Sequence, residues 1–151
     1  MLYIAKRSLL QIDMGCLIAL DFGLKRTGIA ITDSEQRIAS PLCTVPSKGL
    51  MKWLIDFRNS NEISGIVLGF PVALNGAPTH VTENVCLLKE AIEKELKGVS
   101  VEFQDERFSS KRASNAIHQM GKRKLNMNKS LVDKVSAAII LQDFLNAREN
   151  S

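Results

Sequence analysis

The chain has 151 residues, 45% of them apolar and 24% charged, which suits one domain whose core needs neither a disulfide nor a structural metal. A net charge of +4 fits a polyanionic partner without requiring one. No apolar run approaches the roughly 20 residues that span a bilayer. Cys16, Cys43 and Cys86 are odd in number and widely spaced, so they read as buried thiols of a reducing compartment rather than a disulfide framework. His80 and His118 are the sole histidines, too few for a histidine-rich zinc site.

The opening MLYIAKRSLLQID has short, broken apolar stretches and no small-residue cleavage site after it, unlike a secretion signal. It reads as an extension, residues 1–15, ahead of a domain over 16–148. CLIALDF, Cys16 to Phe22, is a continuous apolar run and is expected to be a strand covered on both faces. GIAITD (Gly28 to Asp33) and RIASPLCTV (Arg37 to Val45) follow at hairpin spacing, so the chain opens with an antiparallel meander, Pro41 marking an edge or a bulge. Leu50, Leu54 and Phe57 then recur at helical spacing, and GIVLGF (Gly65 to Phe70) reads as another buried strand. After the loop PVALNGAP, the stripe Val81, Val85, Leu88, Ile92 predicts a helix over Thr79 to Lys97, stopped by Gly98. VSVEF (Val99 to Phe103) alternates as a strand. SSKRASNAIHQMG offers a helix with a serine cap and a closing Gly121, and a last helix runs from about Leu131 to Ala147. The order β-β-β-α-β-α-β-α-α predicts an α/β fold, a five-stranded mixed sheet with helices on both faces.

Three acidic positions lie where a carboxylate is costly unless compensated. Asp21 ends an apolar strand near the middle of the sheet. Asp105 and Glu106 follow VSVEF at the corresponding strand end. Asp133 lies in the first turn of the last helix, on the stripe of Ala137, Ile140 and Phe144. Asp21, Glu106 and Asp133 could thus meet in one cluster. Such a cluster repels itself unless a divalent cation sits in it, and oxygen-only ligation suits Mg²⁺ or Mn²⁺ bound with substrate phosphates. The chemistry that follows is metal-assisted phosphodiester hydrolysis. Taken singly, each acid has a plainer reading: Asp21 as a turn residue, Asp105 as a cap, and Asp133 as a capping-box partner of Ser130 suited to the helix dipole. Asp33, at the far end of the second strand, is expected to be only a turn residue.

Between Glu106 and Asp133 lie Arg107, Lys111, Arg112, Lys122, Arg123, Lys124 and Lys129 with no acid among them, seven of the chain's 20 Lys and Arg residues. They could track a phosphate backbone or form a solvated face. Lys25 and Arg26, on the turn after Asp21, are placed for a substrate phosphate or a local acid. Gly69 and Gly76 could admit close backbone approach to substrate. Phe70 and Phe108 are candidate base-stacking residues, with core burial the plainer reading. Neither DFGLKRTG nor GFPVALNG matches a Walker loop or a dinucleotide fingerprint.

Together, DFGLKRTGIAITD, LGFPVALNG, DERFSS and DKVSAAIILQDFL resemble, in order, the four motif blocks of the YqgF/RuvX family of the RNase H-like superfamily, over about Cys16 to Leu145. The resemblance implies an RNase H-like fold and a cytoplasmic nuclease processing the 5′ end of pre-16S ribosomal RNA, or a Holliday junction resolvase-like DNA endonuclease. It carries the family's acids onto Asp21, Glu106 and Asp133, with Mg²⁺ or Mn²⁺ as the implied metal, and motif cations onto Arg26 and Arg107. Strand alternation allows only one of Asp105 and Glu106 to ligate as a regular strand residue, and Glu106 is the preferred one. The chain departs from the family at Phe70 and Asn75 in the second block, and at Ser109 and Ser110 in the third, where threonines are usual. Structured nucleic acid is the expected partner, with no membrane, and the oligomer is a monomer or a homodimer. Two readings of other classes compete. One is a nucleic-acid-binding module without catalysis, favoured if the acids stand too far apart. The other is an actin-like ATPase or sugar kinase, which needs a second domain that this length does not supply.

Overall fold

The computed structural model describes residues 15–71, 75–106, 109–119 and 129–150, apart from the side chains of Ser109 and Ser110. Five strands, β1 (Cys16–Phe22), β2 (Arg26–Thr32), β3 (Ala39–Pro46), β4 (Ile63–Phe70) and β5 (Ser100–Asp105), form one sheet in the order β3-β2-β1-β4-β5. The first three are antiparallel neighbours, while β4 pairs parallel with β1 and β5 parallel with β4. The helices are α1 (Leu50–Ser60), α2 (Thr82–Glu95), α3 (Ser109–Gln119) and α4 (Lys129–Glu149).

The apolar run of β1 faces two ways because successive side chains point to opposite sheet faces. Ile18 and Leu20 join Ile29, Ile66 and Leu68 against Leu50 and Leu54 of α1 and Val85 and Ile92 of α2. Leu17 and Ala19 join Ala30 and Val67 under Ala137, Ile140, Leu141 and Leu145 of α4. A sheet covered on both faces is the expected architecture, and full burial of each such Leu or Ile contributes about 1.5–3 kcal/mol. The small Ala19 and Ala30 let α4 lie close to the sheet, and α3 packs in turn against α4.

Several boundaries move, each for a local reason. β2 begins at Arg26 and not Gly28, since Thr27 pairs with Phe22 and Gly28 with Asp21. β3 begins at Ala39. Ahead of it Asp33 Oδ1 accepts the backbone N–H groups of Arg37 (2.8 Å) and Ile38 (3.1 Å), and Gln36 is left-handed at φ 57°, so residues 33–38 form a turn. Asp33 is the turn residue expected. Pro41 does mark a bulge, for the register jumps from Ile29↔Cys43 to Ala30↔Pro41 and Leu42 is left exposed. α2 starts at Thr82, because the Thr82 hydroxyl donates to the Pro71 carbonyl (2.8 Å) and accepts the Thr79 N–H (2.8 Å), holding Thr79 outside the helix. Gly98, at φ 87°, supplies the expected stop. The thiols differ from expectation: Cys16 and Cys43 are half-buried and Cys86, on the outer side of α2, is exposed.

Candidate active site

Asp21 is the second-last residue of β1 and lies opposite Gly28 of β2. A Cβ on Gly28 would overlap the backbone carbonyl of Asp133. The missing side chain thus lets the first turn of α4 rest directly on β2, and this contact carries Asp133 to the end of the sheet where Asp21 emerges. Glu106 follows β5 directly, with its N–H directed at the Phe70 carbonyl (3.4 Å). Its carboxylate turns inward over Gly69, where a Cβ would overlap Glu106 Oε2 and press on Ile140. Gly69, read as room for substrate, makes room for this acid and for α4. Asp105 is exposed, whereas Glu106 is half-buried.

Asp21 and Glu106 face each other closely enough to share a proton. Burial pushes Asp21 up to about 6, opposed by its hydrogen bond with Glu106 and reinforced by the charge of Asp133. Burial also pushes Glu106 up to about 9, with the charge of Asp21, their shared hydrogen bond and the charge of Asp105 adding to it. Glu106 Oε2 is buried and has no hydrogen-bond partner. Asp133 is held differently: Arg26 Nε donates to its Oδ2 at 2.8 Å.

Two facing carboxylates, one with an orphaned oxygen, in a site of oxygen donors fit a small hard cation that keeps waters and substrate oxygens as further ligands. Asp21 and Glu106 would hold it, with Asp133, paired to Arg26, lining the cleft beside Asp21. Among the described residues no group of three or more acidic, histidine or cysteine side chains is gathered closely enough to hold a metal ion, and Asp133 is tied to Arg26.

Beside these acids opens a cleft of about 450 Å³, lined among others by Asp21, Lys25, Arg26, His80, Lys129 and Asp133. Cations thus stand with Asp21 and Asp133 around a space able to take a phosphate group. Of the cations expected to bind substrate, Arg26 lines this cleft. Lys111 is exposed on α3. Arg112 is joined to Asp143 of α4 (2.7 and 3.2 Å) and lines a different, mainly apolar groove with Pro41, Ile117 and Val135. Arg107, Lys122, Arg123 and Lys124 lie outside the described residues, as do Phe108 and Gly121. Phe70 packs edge-on against Phe103 (centroids 4.8 Å apart), in keeping with the packing reading. His80 was not marked by the sequence: it stands alone just before α2, and only the Thr79–Thr82 hydrogen bonds that anchor this corner bring it to the cleft.

Comparison with known proteins gives the chain a family. The RuvX family, described as Holliday junction resolvase, matches residues 15–147. The chain belongs to the RuvX family. Its fold is accordingly RNase H-like, as the sheet order and the antiparallel first three strands fit. Among its relatives, a Phocaeicola vulgatus protein is 36% identical over 137 residues, 90% of this chain and 99% of that one. Relatives from Flavobacterium psychrophilum (38% identical, 85% and 95% covered) and Christiangramia forsetii (39% identical, 87% and 98% covered) are equally full-length matches. All three are provisionally named pre-16S rRNA nucleases. Among the described residues no helix of this RuvX protein is long and apolar enough to cross a membrane.

Proposed function

We propose that the chain is a metal-dependent nuclease that hydrolyses phosphodiester bonds, with the 5′ end of pre-16S ribosomal RNA as its substrate and the cytoplasm as its place of action. The observation that carries this reading is the half-buried, hydrogen-bonded Asp21–Glu106 pair set beside Asp133 and a cation-lined cleft. Family membership and the names of the relatives support nuclease chemistry, and those names also support the RNA substrate. Mg²⁺ or Mn²⁺, when bound, would supply an activated water and charge stabilisation at the leaving oxygen. The protein's part is to hold Asp21, near the end of β1, and Glu106, just after β5, together across the intervening β4, and to keep Arg26 and Lys129 in reach of the phosphate. Arg26 donates through Nε to Asp133, and the planar guanidinium has further donors suited to phosphate oxygens.

The purified protein incubated with a 5′-extended pre-16S fragment and with a four-way DNA junction, each with Mg²⁺, Mn²⁺ or EDTA, tests the proposal. Cleavage of the RNA that needs metal and that Asp21→Asn and Asp133→Asn abolish is expected. Junction cleavage alone would assign the DNA activity that the family's description names, and undiminished cutting by both variants would place the chemistry elsewhere. Binding without cleavage under every metal condition would leave a nucleic-acid-binding module.

A further inference from the structure

We propose that Ser47 is a positioning residue that locks the β1–β2 turn, and through it Lys25 and Arg26, into the geometry that grips substrate phosphate. Ser47 opens the short 3-10 turn Ser47–Gly49 that follows β3, far in sequence from the acids. The pairing of Pro46 with Arg26 in the β2–β3 ladder brings it beside the turn. Its Oγ donates to the Gly23 carbonyl at 2.5 Å. A serine hydroxyl has one proton and a carbonyl can only accept, so at the 2.8 Å contact between Thr27 Oγ1 and Ser47 Oγ the threonine is the donor. The Ser47 N–H donates to the Lys25 carbonyl at 2.9 Å. The turn is closed on itself by the Gly23 N–H, which donates to the Arg26 carbonyl at 2.9 Å.

The chain Thr27→Ser47→Gly23 is directional, and each member has one task. Thr27 is fully buried, so its hydroxyl needs the partner that Ser47 provides. Gly23 and Lys25 carry carbonyls that would otherwise point into a turn with no ladder partner. With both carbonyls fixed from outside, the backbone between Asp21 and Arg26 has no freedom to pivot. The Arg26 guanidinium is then delivered to Asp133 and the cleft without an ordering cost when substrate binds. This inference rests on the cleft being the phosphate-binding site.

The test compares Ser47→Ala, Ser47→Thr, Arg26→Gln and the Ser47→Ala/Arg26→Gln double variant. Two measurements are made: binding to the 5′-extended pre-16S fragment, and the NMR signal of the Arg26 Nε–H. Ser47→Ala is expected to weaken binding roughly three- to tenfold, the loss of a hydrogen bond that orders a charged contact, and to shift or broaden the Nε–H signal. Ser47→Thr keeps the hydroxyl and restores both. In the Arg26→Gln background Ser47→Ala should cost clearly less, because only Lys25 is left to position. An unchanged Nε–H signal in Ser47→Ala, or a binding loss of equal size with and without Arg26, would reduce Ser47 to a structural residue. If wild type fails to bind the RNA while the Nε–H signal still responds to Ser47→Ala and recovers in Ser47→Thr, the lock stands and the phosphate-site reading falls.

Discussion

Asp21 and Glu106 are acids kept from water by the sheet ends that carry them, and both hold their protons more firmly than a free carboxyl. The unfolded chain releases those protons in the ordinary carboxylate range, whereas the folded chain retains them up to about 6 and about 9. Between these limits the unfolded state binds fewer protons, so stability must fall as pH rises. The metal-free protein should therefore melt at progressively lower temperature from about pH 5 to about pH 9, and Glu106→Gln should flatten most of that slope. An equally steep slope in Glu106→Gln would remove the pair as its source. If Mg²⁺ occupies the pair, the gain in melting temperature on adding it should be larger at the alkaline end, where protons no longer compete. The cysteines give a simpler check. Cys86 is exposed, while burial raises the Cys16 and Cys43 thiols, so a disulfide reagent should consume one thiol per chain quickly and two slowly.

At the level of elements, the site depends on how closely α4 approaches the sheet. Gly28 meets the backbone of Asp133 and Lys134, which cannot swing away, whereas Gly69 meets the tips of the Glu106 and Ile140 side chains, which can. Gly28→Ala should consequently push α4 off β2. A loss of about 1–3 kcal/mol in urea denaturation is expected from such overpacking, and cleavage should disappear with it. Gly69→Ala should cost less stability yet still cripple cleavage, because the residue that yields is Glu106. Equal stability losses in the two variants would contradict this division. The surface tie between α3 and α4 is a different case. Arg112 and Asp143 are partly exposed, and pairs of this kind are worth about 0–1 kcal/mol, so the pair orients α3 more than it stabilises the fold.

For the whole molecule, a net charge of +4 matters less than where the cations stand. Lys25, Arg26 and Lys129 share the cleft with the acids, while Arg112 faces another groove and is paired. Nucleic-acid affinity should fall with rising salt, as phosphate contacts demand. Arg26→Gln should weaken RNA binding severalfold more than Arg112→Gln at one salt concentration. The reverse ranking, measured by filter binding, would move the substrate path to the α3–α4 groove.

Hydrophobic pattern determined most of the architecture by itself. The two-faced apolar run of β1, the hairpin spacing after it and the helical stripes follow from periodicities of 2 and 3.6, which need no knowledge of neighbours. The acids stood out for a related reason, since a carboxylate at the end of a buried strand or on the inner stripe of a helix is costly and calls for a purpose. The start of β3 and the late start of α2 were not legible, because side-chain bonds from Asp33 and Thr82 override the pattern there. The inward turn of Glu106 beside an exposed Asp105, the part played by Gly69, the arrival of His80 and the hydrogen bonds of Ser47 likewise arise in three dimensions. Each depends on which strand lies next to which, and sequence spacing carries no record of contacts made across 20 to 100 positions. Local periodicity wrote the sheet and its helices; only the close packing of α4 on β2, and of β3 beside the first turn, brought Asp133 and Arg26 to the cleft that Asp21 lines.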